Sequence, residues 1–278
     1  MAIDYVVDYP CAVKTELTTD GLVSMMKERG RATTLLEMLQ QDGMTRDEAL
    51  QKEITVQLMT TEGVVEQKQV LVQEMMARAE PLNSLSQHCS TCKAARGRTF
   101  GCCDVVNYPL SETGEQWLSS IINETLKKGL PHSMALEFIV KEKISGIPFA
   151  QMRRDKRKTF FSLAEAAEFT FAAGECADCK FDMNQVMEVI FGPPVIERPH
   201  QISLLFLSPG LTIGDEKPAD GSFQQACALS ASSESEVQWW SFNLQRSSGD
   251  DNTIAGLKRF FHSLFCAFSL DVPLRVSY

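Results

Sequence analysis

The sequence predicts a protein of the α+β class, with a mixed sheet, amphipathic helices and a cysteine-rich loop organised by a metal ion. Three observations lead to this prediction. Segments with the period of a strand alternate along the chain with segments of helical period. Of the 278 residues, 44% are hydrophobic and 23% are charged, which is an ordinary globular composition. Nine cysteines are present, and four of them are clustered between residues 89 and 103.

The sequence indicates a single domain over residues 1–278, because no internal repeat, low-complexity tract or flexible linker interrupts it. A soft boundary is expected near residue 110. It separates an N-terminal part of helices, a hairpin and the cysteine-rich loop (1–110) from a C-terminal part of helices and strands (111–278).

The first fifty residues predict one strand followed by helices. Residues 3–7 place apolar side chains at every second position, which is typical of a strand with one buried face. Two short helices are expected next, one ending at Gly30 and one at Gly43, because glycine suits the position just after a helix. Thr45 and Glu48 form a capping box, in which each side chain bonds the other's backbone N–H, and predict the start of a third helix.

The middle of the chain predicts a hairpin, a helix, the cysteine-rich loop, a strand and two helices. Residues 53–72 alternate on both sides of a Glu-Gly pair, and residues 73–80 return to helical composition. After the loop, a short strand is expected at 105–108 and is followed by a helix that Ser111 caps. A further amphipathic helix is expected over 134–144.

Two more capped helices are predicted after residue 160. Ser162 and Glu165 have the spacing of a capping box and predict a helix over 164–171. Asp182 predicts a helix over 183–191.

The last part of the sequence predicts two strands and a long helix. The continuous apolar run 202–207 is typical of a strand buried on both faces. Another strand is expected at 240–244. Asp250 or Asp251 is expected to cap a final helix, whose apolar positions between 254 and 268 follow the helical period.

The net charge of -9 argues against a surface built wholly to hold nucleic acid or an anionic membrane. Residues 1–10 hold two aspartates and no basic residue, so they are not expected to be a secretory signal. No apolar stretch reaches the roughly 20 residues that span a bilayer. We therefore expect a cytoplasmic protein whose cysteines remain thiols or bind metal, and a disulfide framework is the less favoured interpretation.

The clustered cysteines are the strongest functional signal. They are Cys89, Cys92, Cys102 and Cys103. A Cys-x2-Cys turn lets two thiolates point at one tetrahedral ion, and Gly97 and Gly101 allow the chain to return. One of Cys102 and Cys103 is expected to supply a third ligand, because neighbouring side chains usually point apart and both on one ion would require strain.

The fourth ligand has three candidates. They are the other member of the Cys102–Cys103 pair, His88, and a residue of the second Cys-x2-Cys, Cys176 or Cys179. The competing interpretation is that no metal binds and that Cys176 and Cys179 are buried or half-buried thiols at a helix end.

Zinc is the expected metal, because thiolates select it and it needs no assembly machinery. An iron–sulfur cluster is the alternative, since three clustered cysteines and one remote cysteine also suit such a cluster. Thiol redox chemistry is the third possibility, although neither Cys-x2-Cys has the usual flanking residues of a redox motif.

One basic run stands out in this acidic chain. It comprises Arg153, Arg154, Lys156, Arg157 and Lys158. Phosphate or nucleic acid is a candidate ligand for it. The favoured interpretation is a solvated turn before a helix, because the overall charge opposes binding to polyanions.

The predicted function is that of a cytoplasmic metal-binding protein, with a structural zinc and an interaction or regulatory role. A protein partner or self-association is expected, and a membrane is not. The alternative is an iron–sulfur or thiol-redox enzyme, and the third class is a nucleic-acid-binding module that uses residues 153–158. The usual sequence signatures of acyl, phosphoryl and hydride transfer are missing from the sequence. The partner or substrate, the oligomeric state and the pathway are left open.

Overall fold

The computed structural model describes residues 2–59, 65–128, 133–154, 162–173, 176–218, 223–228 and 237–277. The helices within these ranges are α1 (Ala12–Gln41), α2 (Arg46–Leu50), α3 (Val72–Arg78), α4 (Pro81–Leu85), α5 (Glu112–Lys128), α6 (Met134–Lys141), α7 (Ile147–Arg154), α8 (Met183–Phe191), α9 (Arg198–Leu207) and α10 (Asn252–Ser269). The strands are β1 (Ala2–Val7), β2 (Glu53–Met59), β3 (Val65–Leu71), β4 (Cys103–Asn107), β5 (Glu168–Ala173), β6 (Cys176–Asp182), β7 (Val195–Ile196), β8 (Leu211–Gly214), β9 (Phe223–Ala228), β10 (Val237–Phe242) and β11 (Leu274–Ser277). The mixture of helices with small sheets confirms the α+β class.

The chain divides into two compact units. The first contains Met1–Tyr9 and Cys102–Tyr278, and the second contains Pro10–Gly101. The prediction of a single domain with a soft boundary near residue 110 stays a prediction.

The second unit begins with α1, whose path bends at Thr18, a residue with a φ of 63°. The Thr18 hydroxyl accepts the N–H of Gly21 and so caps the longer part of α1. Gly30 lies inside this helix, so the expected helix end at Gly30 is wrong. The expected end at Gly43 is confirmed: Gly43 has a φ of +92° and follows the helix, where a left-handed residue lets the last carbonyls be bonded.

The rest of the second unit packs against α1. The capping box of Thr45 and Glu48 is confirmed at the start of α2. Strands β2 and β3 form the predicted hairpin, and α3 confirms the helix predicted over 73–80. Two apolar clusters join these elements, one around Ala32 and one around Leu36. Burial of the apolar face of α1 against the hairpin and α3 holds this unit together.

The described residues of the first unit form three sheets. The largest has four strands in the order β4-β1-β11-β7, the next has the order β8-β10-β9, and β5 pairs with β6 alone. All pairings among the described strands are antiparallel, so the expected mixed sheet is wrong. Strand β1 is central and buried on both faces rather than on one.

Helix α10 forms the centre of the first unit. Phe260 packs edge to face on Tyr5 of β1, with ring centroids 5.2 Å apart. Two turns further along the helix, Phe268 stacks on Trp240 of β10 at 4.9 Å. The helix therefore packs against both the four-stranded and the three-stranded sheet, which explains why nearly every one of its residues is buried.

In two segments the secondary structure differs from the one predicted. The apolar run 202–207 lies in helix α9 and is not a strand. The segment 164–171 is not a helix, because Glu168–Ala173 forms β5 and pairs with β6. Ser162 bonds the carbonyl of Leu110 instead of capping a helix.

The predicted caps of three other helices are confirmed. Ser111 Oγ accepts the N–H of Gly114, Asp182 accepts the N–H of Gln185, and Asp251 accepts the N–H of Ile254. Within the described ranges, no helix is both long enough and apolar enough to cross a membrane.

Candidate metal centre

Cys102 and Cys103 lie where the first unit's central sheet begins. The carbonyl of Cys102 accepts the N–H of Val7 at 2.9 Å, and Cys103 is the first residue of β4, opposite Val6 of β1. The backbone of both cysteines is therefore fixed by pairing with the buried strand β1.

The two sulfurs of this pair face each other. Cys102 Sγ and Cys103 Sγ are 3.8 Å apart. The side chain of Cys102 is 3% exposed, whereas Cys103 is half-buried. The expectation that these neighbouring side chains point apart is wrong. Two sulfurs bonded to one tetrahedral zinc at about 2.3 Å each are also about 3.8 Å apart.

Cys89 and Cys92 are both buried in the second unit. Cys89 lies in a 3₁₀ turn over Ser86–Thr91, and Cys92 links this turn to the next one, Lys93–Ala95. Cys89 Sγ accepts the backbone N–H of Phe100 at 3.1 Å. Backbone donors of this kind stabilise a thiolate and are a common second layer around metal-bound sulfur.

The chain between Cys92 and Gly101 is a compact turn. Gly97 has a φ of +72°, which favours glycine, and a Cβ at position 101 would collide with the carbonyl oxygen of Ala95. The guanidinium of Arg96 donates to the carbonyl of Gly101 at 2.9 Å and closes the turn. Both glycines therefore act as the sequence predicted, by letting the chain return.

The alternate ligands have different surroundings. His88 is half-buried, and its carbonyl accepts the hydroxyl of Thr91. Cys179 is disulfide-bonded and buried in β6, so it is not a thiolate donor and not the thiol that the sequence predicts. The backbone of Cys176 lies at the start of β6, and its side chain is outside the described part of the structure.

Across the ranges that the structure describes, no three His, Cys, Asp or Glu residues form a group that could hold a metal ion. The ligand set predicted from the sequence therefore stays a prediction. The geometry that favours it is local, within the Cys102–Cys103 pair and around the Cys89 sulfur.

The basic run has one member whose side chain is described. Arg153 is 7% exposed and lies in the core of the first unit, away from the surface where a phosphate contact would form. Arg154 has a described backbone only, and Lys156, Arg157 and Lys158 lie outside the described residues. The phosphate-contact prediction for these four stays a prediction.

A buried ion pair that the sequence pattern does not predict explains the position of Arg153. The guanidinium of Arg153 lies 2.7 Å from the carboxylate of Glu115 on α5, and the two side chains are 3% and 2% exposed. It also donates to Asn184 Oδ1 and to the carbonyls of Leu163 and Glu165. The one sequence signal is that Glu115 lies on the apolar side of an otherwise amphipathic helix.

The environment of strand β4 affects one further titratable group. Burial raises the pKa of Tyr108, and the nearby carboxylate of Asp4 raises it further.

Next to Cys103, the carboxylate of Asp104 accepts the N–H of Val105 and forms an ion pair with Arg259 at 3.1 Å. Both carboxylate oxygens of Asp104 are thus bonded to Arg259, beside the cysteine pair.

Comparison with protein-family models, with curated proteins and with solved structures finds no match to this chain.

Proposed function

We propose that the chain binds one zinc ion through cysteine thiolates, with Cys102 and Cys103 as two of the ligands. The observation that carries the proposal is the 3.8 Å separation of their sulfurs, which equals the edge of a zinc–sulfur tetrahedron. The sheet pairing of Val6 and Val7 holds the pair in this geometry. A site whose ligands are already oriented loses little conformational entropy when the ion binds.

Cys89 and Cys92 are proposed as the other two ligands on sequence spacing alone, with His88 as the alternate. The N–H bond from Phe100 to the Cys89 sulfur supports this choice, because it stabilises a thiolate at that position. Four thiolates make a closed site, in which no water or substrate reaches the ion.

A closed site favours a structural zinc in a protein with an interaction or regulatory role over an enzyme. Asp104 is the carboxylate nearest in sequence to the proposed ligands. Its bonds with Val105 and Arg259 occupy it, so it is not poised as a general base.

A cytoplasmic location is part of the proposal. Thiols at Cys11, Cys266 and the four proposed ligand positions agree with it. The disulfide at Cys179 is the observation against it, because disulfides are rare in reducing compartments.

Elemental analysis of protein purified without oxygen tests the proposal. We expect one zinc ion per chain, and much weaker zinc retention in Cys102→Ser and in Cys103→Ser against a competing chelator. Cys11→Ser is the matched control and should retain zinc as the wild type does. A fully reduced protein that holds no zinc would refute the proposal. A brown protein that contains iron would replace zinc with an iron–sulfur cluster.

A further inference from the structure

The Cys102–Cys103 pair also has the geometry of an oxidation site. The sulfurs are 3.8 Å apart, and a disulfide bond is about 2.05 Å long, so each sulfur needs to move by only about 0.9 Å. Rotation of the two side chains brings the sulfurs together, and the backbone takes up the remaining strain.

The two thiols differ in access to solvent. Cys103 is half-buried at the end of a strand, whereas Cys102 is 3% exposed. A small oxidant therefore reaches Cys103 first. Because Cys102 Sγ is already adjacent, it can react with an oxidised Cys103 before a second oxidant molecule does.

We propose that a hydroperoxide converts Cys102 and Cys103 into a reversible vicinal disulfide. The Cys103 sulfur attacks the peroxide, the O–O bond breaks, and Cys103 becomes a sulfenic acid while the leaving oxygen departs as water or an alcohol. The Cys102 sulfur then attacks the Cys103 sulfur, an S–S bond forms, and the hydroxyl leaves as water. In total the two thiols lose two electrons and two protons, and the hydroperoxide is reduced.

Reversibility follows from the backbone. Adjacent Cα atoms across a trans peptide are about 3.8 Å apart, whereas disulfide-bonded cysteines usually have Cα atoms about 4.4–6.8 Å apart. A bond between neighbours is therefore strained and is readily reduced by a dithiol. Such a bond suits a switch rather than a permanent cross-link.

One consequence rests on the proposed function. If Cys102 and Cys103 bind zinc, the disulfide removes two ligands in one step, because a disulfide sulfur is a poor ligand for zinc. The oxidised protein should then release the ion, and the pair would make the zinc site responsive to peroxide.

Peptide mass spectrometry of the full-length protein tests the proposal. Trypsin cleaves after Arg98 and Lys127, and the peptide 99–127 contains Cys102 and Cys103 but no other cysteine. The protein as purified is treated with one equivalent of hydrogen peroxide, blocked with N-ethylmaleimide and digested. We expect this peptide to be lighter by two hydrogen atoms and to carry no maleimide. Dithiothreitol added before the block should restore two maleimide adducts.

Two variants keep the result interpretable. In Cys102→Ser, Cys103 should stop at the sulfenic acid, which dimedone traps, whereas Cys11→Ser should behave as the wild type. Two maleimide adducts on 99–127 after peroxide treatment, a sulfinic acid at Cys103, or a cross-link to another peptide would overturn the proposal.

Zinc release, followed with a colorimetric chelator in the same samples, separates the two proposals. A protein without zinc that still forms the disulfide refutes only the zinc site. A zinc protein that does not form the disulfide refutes only the switch.

Discussion

The buried pair of Glu115 and Arg153 allows a quantitative test of how the first unit is held together. Replacing Glu115 with leucine leaves the Arg153 guanidinium buried, with carbonyl and amide acceptors but no opposite charge. Removing one partner of a buried ion pair costs about 3–5 kcal/mol. For a unit of this size, each kcal/mol lost from the free energy of unfolding lowers the melting temperature by about 2–4 °C. The Glu115→Leu variant should therefore melt roughly 6–20 °C below the wild type.

Tryptophan fluorescence is the appropriate signal, because it follows both the melting temperature on heating and the free energy of unfolding in urea. Trp117, Trp239 and Trp240 are the three tryptophans of the chain, and all lie in the first unit. The double variant Glu115→Leu with Arg153→Met should be more stable than Glu115→Leu alone, because it leaves no buried charge without a counter-charge.

The matched control is an exposed ion pair in the same unit. Lys141 lies 3.4 Å from Glu137 and its side chain is 73% exposed. Lys141→Ala should change the free energy of unfolding by less than about 1 kcal/mol. If Glu115→Leu were no more destabilising than Lys141→Ala, the reasoning about the buried pair would be refuted.

Three further predictions concern pH, capping and the cysteines. Burial lowers the pKa of His200 below its ordinary value of 6.5, against the effect of its hydrogen bond with the backbone of Val189. The unfolded chain therefore binds a proton that the folded protein does not, so the free energy of unfolding should fall as the pH is lowered from about 6.5. His200→Gln should reduce this pH dependence in urea titrations, and an unchanged dependence would contradict the role of His200. Thr45→Ala should lower the free energy of unfolding by about 1 kcal/mol and speed amide hydrogen exchange in α2. Unchanged exchange in α2 would contradict the role of the capping box. Cys89→Ser should lower the melting temperature of zinc-loaded protein more than Cys11→Ser does, because the free energy of zinc binding adds to that of folding. Equal melting temperatures of the two variants would count against Cys89 as a ligand.

Helix caps could be predicted from the sequence, whereas the pairing of distant strands could not. The caps at Thr45, Asp182 and Asp251 each depend on residues three positions apart, so their patterns are visible in the sequence. Segment 164–171 has a capping pattern, yet its strand is decided by a partner strand, against which Phe169 stacks on Phe181 at 5.3 Å.

The wrong strand prediction at 202–207 has a different cause. A short continuous apolar run is equally compatible with a buried strand and with a helix that is buried on most sides. The signal that favours helix was Pro199, which stands in the first turn of α9, where proline's missing N–H costs nothing.

The clustering of cysteines predicts a metal site, and that site stays a prediction. The general rule that neighbouring side chains diverge gives the wrong orientation for Cys102 and Cys103. Arg153 was grouped with a basic run because its partner Glu115 is 38 residues away, and sequence patterns do not report contacts at that distance.

X-ray absorption at the zinc edge of the purified wild-type protein tests the central claim most directly. We expect a zinc ion with four sulfur ligands at about 2.3 Å and no oxygen ligand. A zinc ion coordinated by nitrogen and oxygen, or a spectrum unchanged in Cys102→Ser with Cys103→Ser, would contradict it.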